Sequence, residues 1–437
     1  GHGIAVSGGF STGTIQNSYV GMNKDGLTVD GNGNNGIDVS VLSPLPNALS
    51  ITNNVISGNG TSSGGGIRIG AGTGVAVTLN FIGLDKLGQA ISNSIGNADF
   101  GIQINGGVGH VIGAGMIMTP NWISHNGYNG ATPPSNTSAD GIIISSATGV
   151  IIQGNIIGLD SLGMAAPNGR DGIFISSGSN IIGAAGNFLN VISGNVRNGI
   201  TLQSSGATAN VIYNNIIGED PSGDVLELAR PNGGAGILLG IGAHDNTIGD
   251  TAVNTFNIVA HNTGNGIEFR SSGTGNKLSA NHIHDNGKLG IDIDGMTDAV
   301  DPIDSGDTDN FSNDQQNYPF LTSAVINGAS TQIMGTLDST PGQTFNLEFF
   351  ESPAADTTMF MGQPYGEGRS YLGNAMVSIP AMAMAPTPFM VSVPQATTPG
   401  FFITATATRT VVPLDTSEFS NAIQAVTPVE LQNFEVE

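Results

Sequence analysis

One unit recurs through most of this chain, and it constrains the fold more than any other feature. In its plainest form it runs from Asp171 to Leu202 and holds three short apolar stretches: Ile173-Phe174-Ile175, Ile181-Ile182 and Val191-Ile192. Each follows Gly or Asn, and the unit begins again at Gly199-Ile200. Equivalent starts fall at Gly3, Gly36, Gly66, Gly101, Gly141, Gly172, Gly199, Gly236, Gly266 and Gly290. The shortest step, Gly266 to Gly290, is 24 residues and the longest, Gly101 to Gly141, is 40, so the length drifts while the pattern persists. Self-similarity at tens of residues is the mark of a solenoid.

Stretches of three to five residues with apolar side chains on one parity are too short for helices and read as strands. Each unit therefore contributes three strands to a coil, and successive coils stack. Every Ile-x-Ile then sends two side chains inward, building aliphatic rows along the axis. A second marker sits within several units, at Asn80 to Asp85, Asn155 to Asp160 and Asn215 to Asp220, each followed by a turn glycine (Gly88, Gly163, Gly223). Asn tolerates the left-handed backbone region, and its amide can bond to the equivalent amide one coil away. Turn and ladder duty is thus the expected role of these residues.

Composition enters at the surface. Among 437 residues there are 66 Gly, and charged residues make up only 10%, well under the usual quarter. Eleven Lys and Arg against 34 Asp and Glu give a net charge of −23. Nucleic acid and anionic membranes are poor partners for such a surface. Cations, basic proteins and neutral glycans stay open. There is no Cys, hence no disulfide or thiolate metal site. No apolar run approaches the ~20 residues of a membrane span, and no signal peptide is visible. The chain opens at Gly1-His2-Gly3-Ile4, already inside a repeat, which predicts a processed or trimmed product.

Taken in order, residues 1–297 read as solenoid. Insertions at Leu42 to Pro46, Asn126 to Asn136 and Asp224 to Gly234 are expected to project as loops, the last carrying Glu227 and Arg230. Trp122, the only Trp, precedes the second; packing in the core or on a shelf is favoured over stacking on a sugar. Residues 298–317 form an acidic linker with Asp298, Asp301, Asp304, Asp307 and Asp309. These five are the predicted metal ligands. Alternating carboxylates and carbonyls in a loop supply the hard oxygens that Ca²⁺ needs, although the spacing is not that of an EF-hand. Residues 318–426 change grammar. Strand signals at Thr331 to Met334, Thr344 to Phe350, Ser370 to Ile379, Phe389 to Val393, Phe401 to Thr408 and Glu418 to Val426 predict a β-sandwich. Six of the twelve Met, Met359, Met361, Met376, Met382, Met384 and Met390, cluster between 359 and 390 and are expected to fill its core. Residues 427–437 are a strand-like tail.

On these markers the first part resembles the right-handed parallel β-helix repeat proteins of bacterial surfaces and secretions. The later part is similar to the Ig-like sandwich that follows such helices, carried by Asn317 to Leu321, Gly335 to Ser339, Phe345 to Phe350, Phe402 to Ala407 and Thr416 to Ser420. The resemblance implies an all-β fold, about ten coils followed by a sandwich, at an extracellular or cell-surface location. It implies a structural or adhesive role, with glycans or other surface ligands as partners.

The same helix also carries pectin-degrading enzymes. Gly1-His2-Gly3 repeats a triplet of the polygalacturonases, but the accompanying motifs are missing. Arg68, Arg270 and Lys277 have no acidic cluster at one-coil spacing. Asp160 and Asp220 occupy equivalent marker positions and are the only carboxylate pair weighed for hydrolysis, against a role as turn caps. The reading reached is a non-catalytic structural or adhesive protein, self-assembling into a homo-polymer by end-to-end packing of its helices. The alternative is a polysaccharide-binding module, or a lyase or hydrolase. Matches to glycosylation sequons occur at Asn59, Asn136 and Asn310.

Overall fold

In a computed structural model, the chain is a three-sided parallel β-helix followed by antiparallel sheets. The structure describes residues 1–8, 12–40, 48–61, 63–90, 96–114, 119–128, 139–186, 188–225, 227–252, 254–293, 299–355, 359–360, 362–383 and 386–428. The insertion 42–46, most of the loop 126–136, Asp298, Met384 and the tail from Val429 lie outside these residues.

Among the described residues the three parallel sheets have ten, nine and nine strands, each strand pairing with its counterpart in the next coil. The register is in step: Ile67, Ile102, Ile142, Ile173, Ile200 and Ile237 are direct neighbours across the first sheet. Their partners two residues on, such as Ile69, Ile104, Ile144 and Ile175, are also fully buried. Burying one such side chain stabilises the fold by roughly 1.5–3 kcal/mol, so the core grows by a fixed increment per coil. Ten strands at ~4.8 Å spacing give a rod of about 43 Å.

Three columns of Asn run along the corners. In one, side-chain amides donate from Asn54 to Asn80, Asn121, Asn155, Asn190, Asn215, Asn257 and Asn281 in turn, at 2.8–3.1 Å. A second starts at Asn32 and passes through Asn59, Asn126 and Asn195 to Asn262 and Asn286. A third joins Asn180, Asn210, Asn246 and Asn276. Nearly all of these residues are buried, and most of the amides also reach a main-chain carbonyl of the previous coil, as Asn155 does at Ile112. Asn59 is therefore a ladder residue without exposure, not a glycan acceptor.

The corner after the third sheet alternates from coil to coil. Gly21, Gly83, Gly158 and Gly218 adopt positive φ, and a Cβ at Gly158 would stand 2.2 Å from the Ser193 carbonyl oxygen. The coils between carry Ser57, Ser124 and Ser193, whose hydroxyls donate to the carbonyls of Leu84, Leu159 and Glu219 at 2.6–2.7 Å. Ser124 and Ser193 also accept the N–H of Gly158 and Gly218. The repeat is thus a pair of coils.

The later part packs a three-stranded antiparallel sheet (Phe320–Asn327, Ser330–Leu337, Thr387–Val393) and a four-stranded one (Ser370–Ser378, Thr344–Ser352, Phe402–Arg409, Ile423–Gln424) around a shared core that includes Ile333, Phe345, Leu347, Phe349 and Ile403. Three expectations are corrected. Phe320–Asn327 is a strand the sequence reading missed. Glu418 to Ser420 is not a strand; Ser417 and Ser420 take the N–H groups of Ala407 and Ala405 on their hydroxyls instead. Met376, Met382 and Met390 are exposed, the first and last lying on the outward parity of their strands.

The last coil does not end in solvent. Glu348 accepts the Ala280 N–H at 2.7 Å and the Ser279 hydroxyl at 2.6 Å. Glu418 accepts the N–H of Ile293 and of Asp301, both at 3.0 Å. Glu367 takes the Asn286 amide and Thr416 the Leu278 N–H, while Ile283 and Gly368 exchange main-chain bonds. The third Asn column continues into Asn313. A parallel sheet edge bristles with unpaired donors. The sandwich satisfies them with carboxylates.

Candidate functional site

The residues with chemical capacity gather where the last coils meet the sandwich. The acidic loop contributes Asp304, Asp307 and Asp309, which each place one carboxylate oxygen within 4.8 Å of the others. Asn317 holds the loop closed: its N–H donates to Asp307 at 2.8 Å, and its amide to the carbonyl oxygen of Asp304 at 2.8 Å. Ser339 donates to Asp307 at 2.7 Å. Asp309 Oδ1 is buried without a hydrogen bond. Burial raises Asp307 to about 6, and burial, reinforced by the charges of Asp304, Asp307 and Asp301, raises Asp309 to about 6. Asp304 stays below the usual carboxylate range; burial opposes this, but hydrogen bonds from Thr308 and Asn317 outweigh it. Asp301 turns away to the Gln315 amide, 3.2 Å, and is not part of the group. Three clustered hard oxygens with one lacking a donor fit a Ca²⁺ ion.

Beside this loop, Phe311 is 72% exposed. It lines an open cavity of about 680 Å³ whose other walls are uncharged: Ser271, Ser272, Thr274, Asn310 and Gln315 among them.

A second cavity, about 640 Å³, opens at the junction between residues of the last coils, such as His261 and His284, and Ser352, Glu367 and Arg369. The corner after the third sheet brings Glu219, His261 and Asp285 into one column on successive coils. His261 Nε2 lies 3.3 Å from Glu219 Oε1, and His284 Nδ1 lies 2.9 Å from Asp285 Oδ2. Arg369, from the sandwich, pairs with Glu227 of the solenoid insertion and with Asp285 at 3.1 Å. Burial holds His261 below the usual imidazole range, and the Asp285 charge only partly offsets this. Asp285 is lowered, chiefly by its hydrogen bond with His284. Sequence reasoning found none of this cluster except the projection of Glu227. The signal was present: the third marker carries Glu219 where the first two carry Leu84 and Leu159.

Other sequence-level candidates resolve as scaffold. Asp160 accepts the N–H groups of Leu162 and Met164 at 2.9 Å, Asp85 does the same at Leu87 and Gln89, and Asp220 accepts from Ser222. Asp160 and Asp220 lie two coils apart and cap turns, not a substrate. Arg68 pairs with Asp38 at 2.9 Å and Arg270 with Glu268, all on the outer face of the first sheet. Trp122 packs on a shelf outside the third sheet with Ile156, Leu159 and Val191.

No helix among the described residues is long and apolar enough to cross a membrane. Comparison with models of known protein families gives no match, and comparison with curated protein sequences gives none either.

Proposed function

We propose that this chain is a non-catalytic structural or adhesive protein of the cell exterior, a stiff rod that carries a sandwich on one end and clamps the joint with calcium. The observation that carries this reading is the continuity of the Asn columns, which end on Glu367 and Asn313 of the adjoining segment. Ladder, cap and sandwich form one hydrogen-bonded body, as a spacer or display scaffold requires. The loop Asp304 to Asp309 lies between the last coil and the sandwich, where a bound Ca²⁺ holds both. End-to-end packing on the last coil would have to displace the sandwich, so assembly into a continuous filament through that end is not part of the proposal.

A polysaccharide ligand is the second reading, favoured by the outer face of the first sheet. There Arg68, Gln103, Ile143, Phe174, Thr201 and Leu238 form a row on successive coils, in which Arg68, Gln103 and Phe174 are partly exposed and Ile143, Thr201 and Leu238 are covered. Arg170 lies over the Phe174 ring at 5.8 Å. The test is to incubate the purified chain with cell-wall and capsular polysaccharides, measuring both retention and release of soluble oligosaccharides. Retention without release is the expected result. Release of oligosaccharides would overturn the non-catalytic reading.

A further inference from the structure

The cavity beside the acidic loop has two walls. One is the loop Ser271 to Thr274, which follows the first-sheet strand Ile267–Phe269. The other is the segment Asn310 to Gln315, which leads from the acidic loop to the sandwich. The walls are tied to each other and to the last coils. Ser312 accepts the Ser272 N–H at 3.1 Å, and the Asn313 N–H donates to the Gly273 carbonyl at 3.1 Å. The buried Asn313 amide donates to the carbonyls of Asn276 and Thr416, at 2.9 and 3.0 Å. Asn313, Asp314 and Gln315 follow one another with φ of 50°, 51° and 43°, and Ser271 on the facing wall has φ of 53°. Non-glycine residues keep this left-handed conformation only where their surroundings impose it. Within so fixed a frame Phe311 stands exposed, where a phenylalanine is ordinarily covered.

The chemistry of the walls narrows the ligand. The carboxylates of this stretch are engaged elsewhere, Asp309 in the acidic group and Asp314 with Arg409 at 3.2 Å. The lining is left with one aromatic ring, the hydroxyls of Ser271 and Thr274 and the Asn310 amide. Among the described residues none of these three polar side chains makes a hydrogen bond within the chain. An apolar plate with uncharged donors and acceptors around it matches a sugar ring, which offers a C–H face and a rim of hydroxyls. An anionic ligand finds no counter-ion in this lining and is repelled by a chain of net charge −23.

We propose that this cavity binds a neutral pyranose unit of a glycan, stacked on Phe311 and hydrogen-bonded by Ser271, Thr274 and Asn310. The inference rests on the adhesive reading and gives it a ligand class, at residues distinct from the first-sheet row. Both walls are held in place before the ligand arrives, so binding costs little ordering.

The test titrates the full chain by calorimetry with hexasaccharides of neutral α-glucan, β-glucan, mannan and xylan, and with hexagalacturonate as the acidic counterpart. At least one neutral hexasaccharide should bind, and hexagalacturonate should not. Phe311→Ala, at an exposed position, should keep the Tm and weaken that binding about tenfold or more. Phe311→Trp should restore it, and Phe174→Ala, on the first sheet, should leave it unchanged. Binding that survives Phe311→Ala, or a preference for the acidic hexasaccharide, would overturn the site. Loss in Phe174→Ala instead would overturn it while leaving polysaccharide binding in place. If no hexasaccharide binds, the site falls; the adhesive reading falls with it only if the cell-wall and capsular polysaccharides also fail to retain the chain.

Discussion

A single amide shows how the rod is held. Asn155 donates to Asn190 Oδ1 and to the Ile112 carbonyl, and accepts from Asn121. Asn155→Ala removes one hydrogen bond each from Asn190 Oδ1, the Ile112 carbonyl and the Asn121 amide, which keep a second partner, and each loss costs about 0.5–1.5 kcal/mol. We expect a total of about 2–4 kcal/mol, read as a lower urea midpoint, and a larger effect for Asn155→Asp, which cannot donate. The buried carboxylates set the pH response. Asp140, stacked one coil from Asp171, is raised to about 7 by burial and by the Asp171 charge, and burial raises Asp415 to about 6. With Asp307 and Asp309 these groups favour the protonated form in the fold. Their contribution is complete below the unfolded value of about 3.9 and is lost as pH rises through 6 to 7. Asp38, Asp285 and Asp304 are lowered and act oppositely: their contribution is present above about 4 and lost below it. In chelator, Tm should therefore be higher near pH 5 than near pH 7.5; a Tm that rises steadily across that range would refute this balance. The Asn columns were legible in the sequence because repeated position implies repeated contact. The stacked Asp140 and Asp171 were not, since an Asp before Gly-Ile reads as another corner residue.

At the scale of elements, the solenoid strands were legible because inward side chains recur at a fixed parity in every coil. The sandwich was less so. Phe320–Asn327 escaped notice because its register slips between Leu321 and Ser323, which breaks the alternation that marks a strand. Thr387–Val393 holds Pro388 and is the outer strand of its sheet, where a residue without an N–H is tolerated. The acidic loop was legible from the density of Asp, but not which carboxylates converge: Asp301 was expected among the ligands and is taken by Gln315. The capping carboxylates were invisible, because a Glu on a sandwich strand reads as surface. Glu348 is nonetheless buried, and burial holds its carboxyl above the usual range. Glu348→Ala removes the acceptor for Ala280 and Ser279 together. We expect the last coil to loosen by about 2–4 kcal/mol. Faster amide exchange confined to residues 275–293 checks this; uniform exchange would contradict it.

For the whole molecule, calcium at the joint should act as a ligand of the native state alone. At a hundredfold excess over its dissociation constant it adds about 2.7 kcal/mol. A rise in Tm on adding Ca²⁺, absent in Asp309→Asn, is the expected outcome, and a rise that persists in that variant would place the ion elsewhere. The alternation of Gly and Ser corners has a consequence for how such a rod changes length. A serine corner donates to the coil that follows and a glycine corner admits the carbonyl that approaches it, so neighbours are not interchangeable. Length is quantised in pairs. Excising residues 124–192 joins Ile123 to Ser193, the same step the chain takes from Ile123 to Ser124, and should give a folded rod shorter by two coils, about 10 Å. Excising only 158–192 sets two serine corners face to face and should not fold as well. Duplication and loss along such a chain can proceed by twos while the joint, with its fixed set of acceptors, stays where it is.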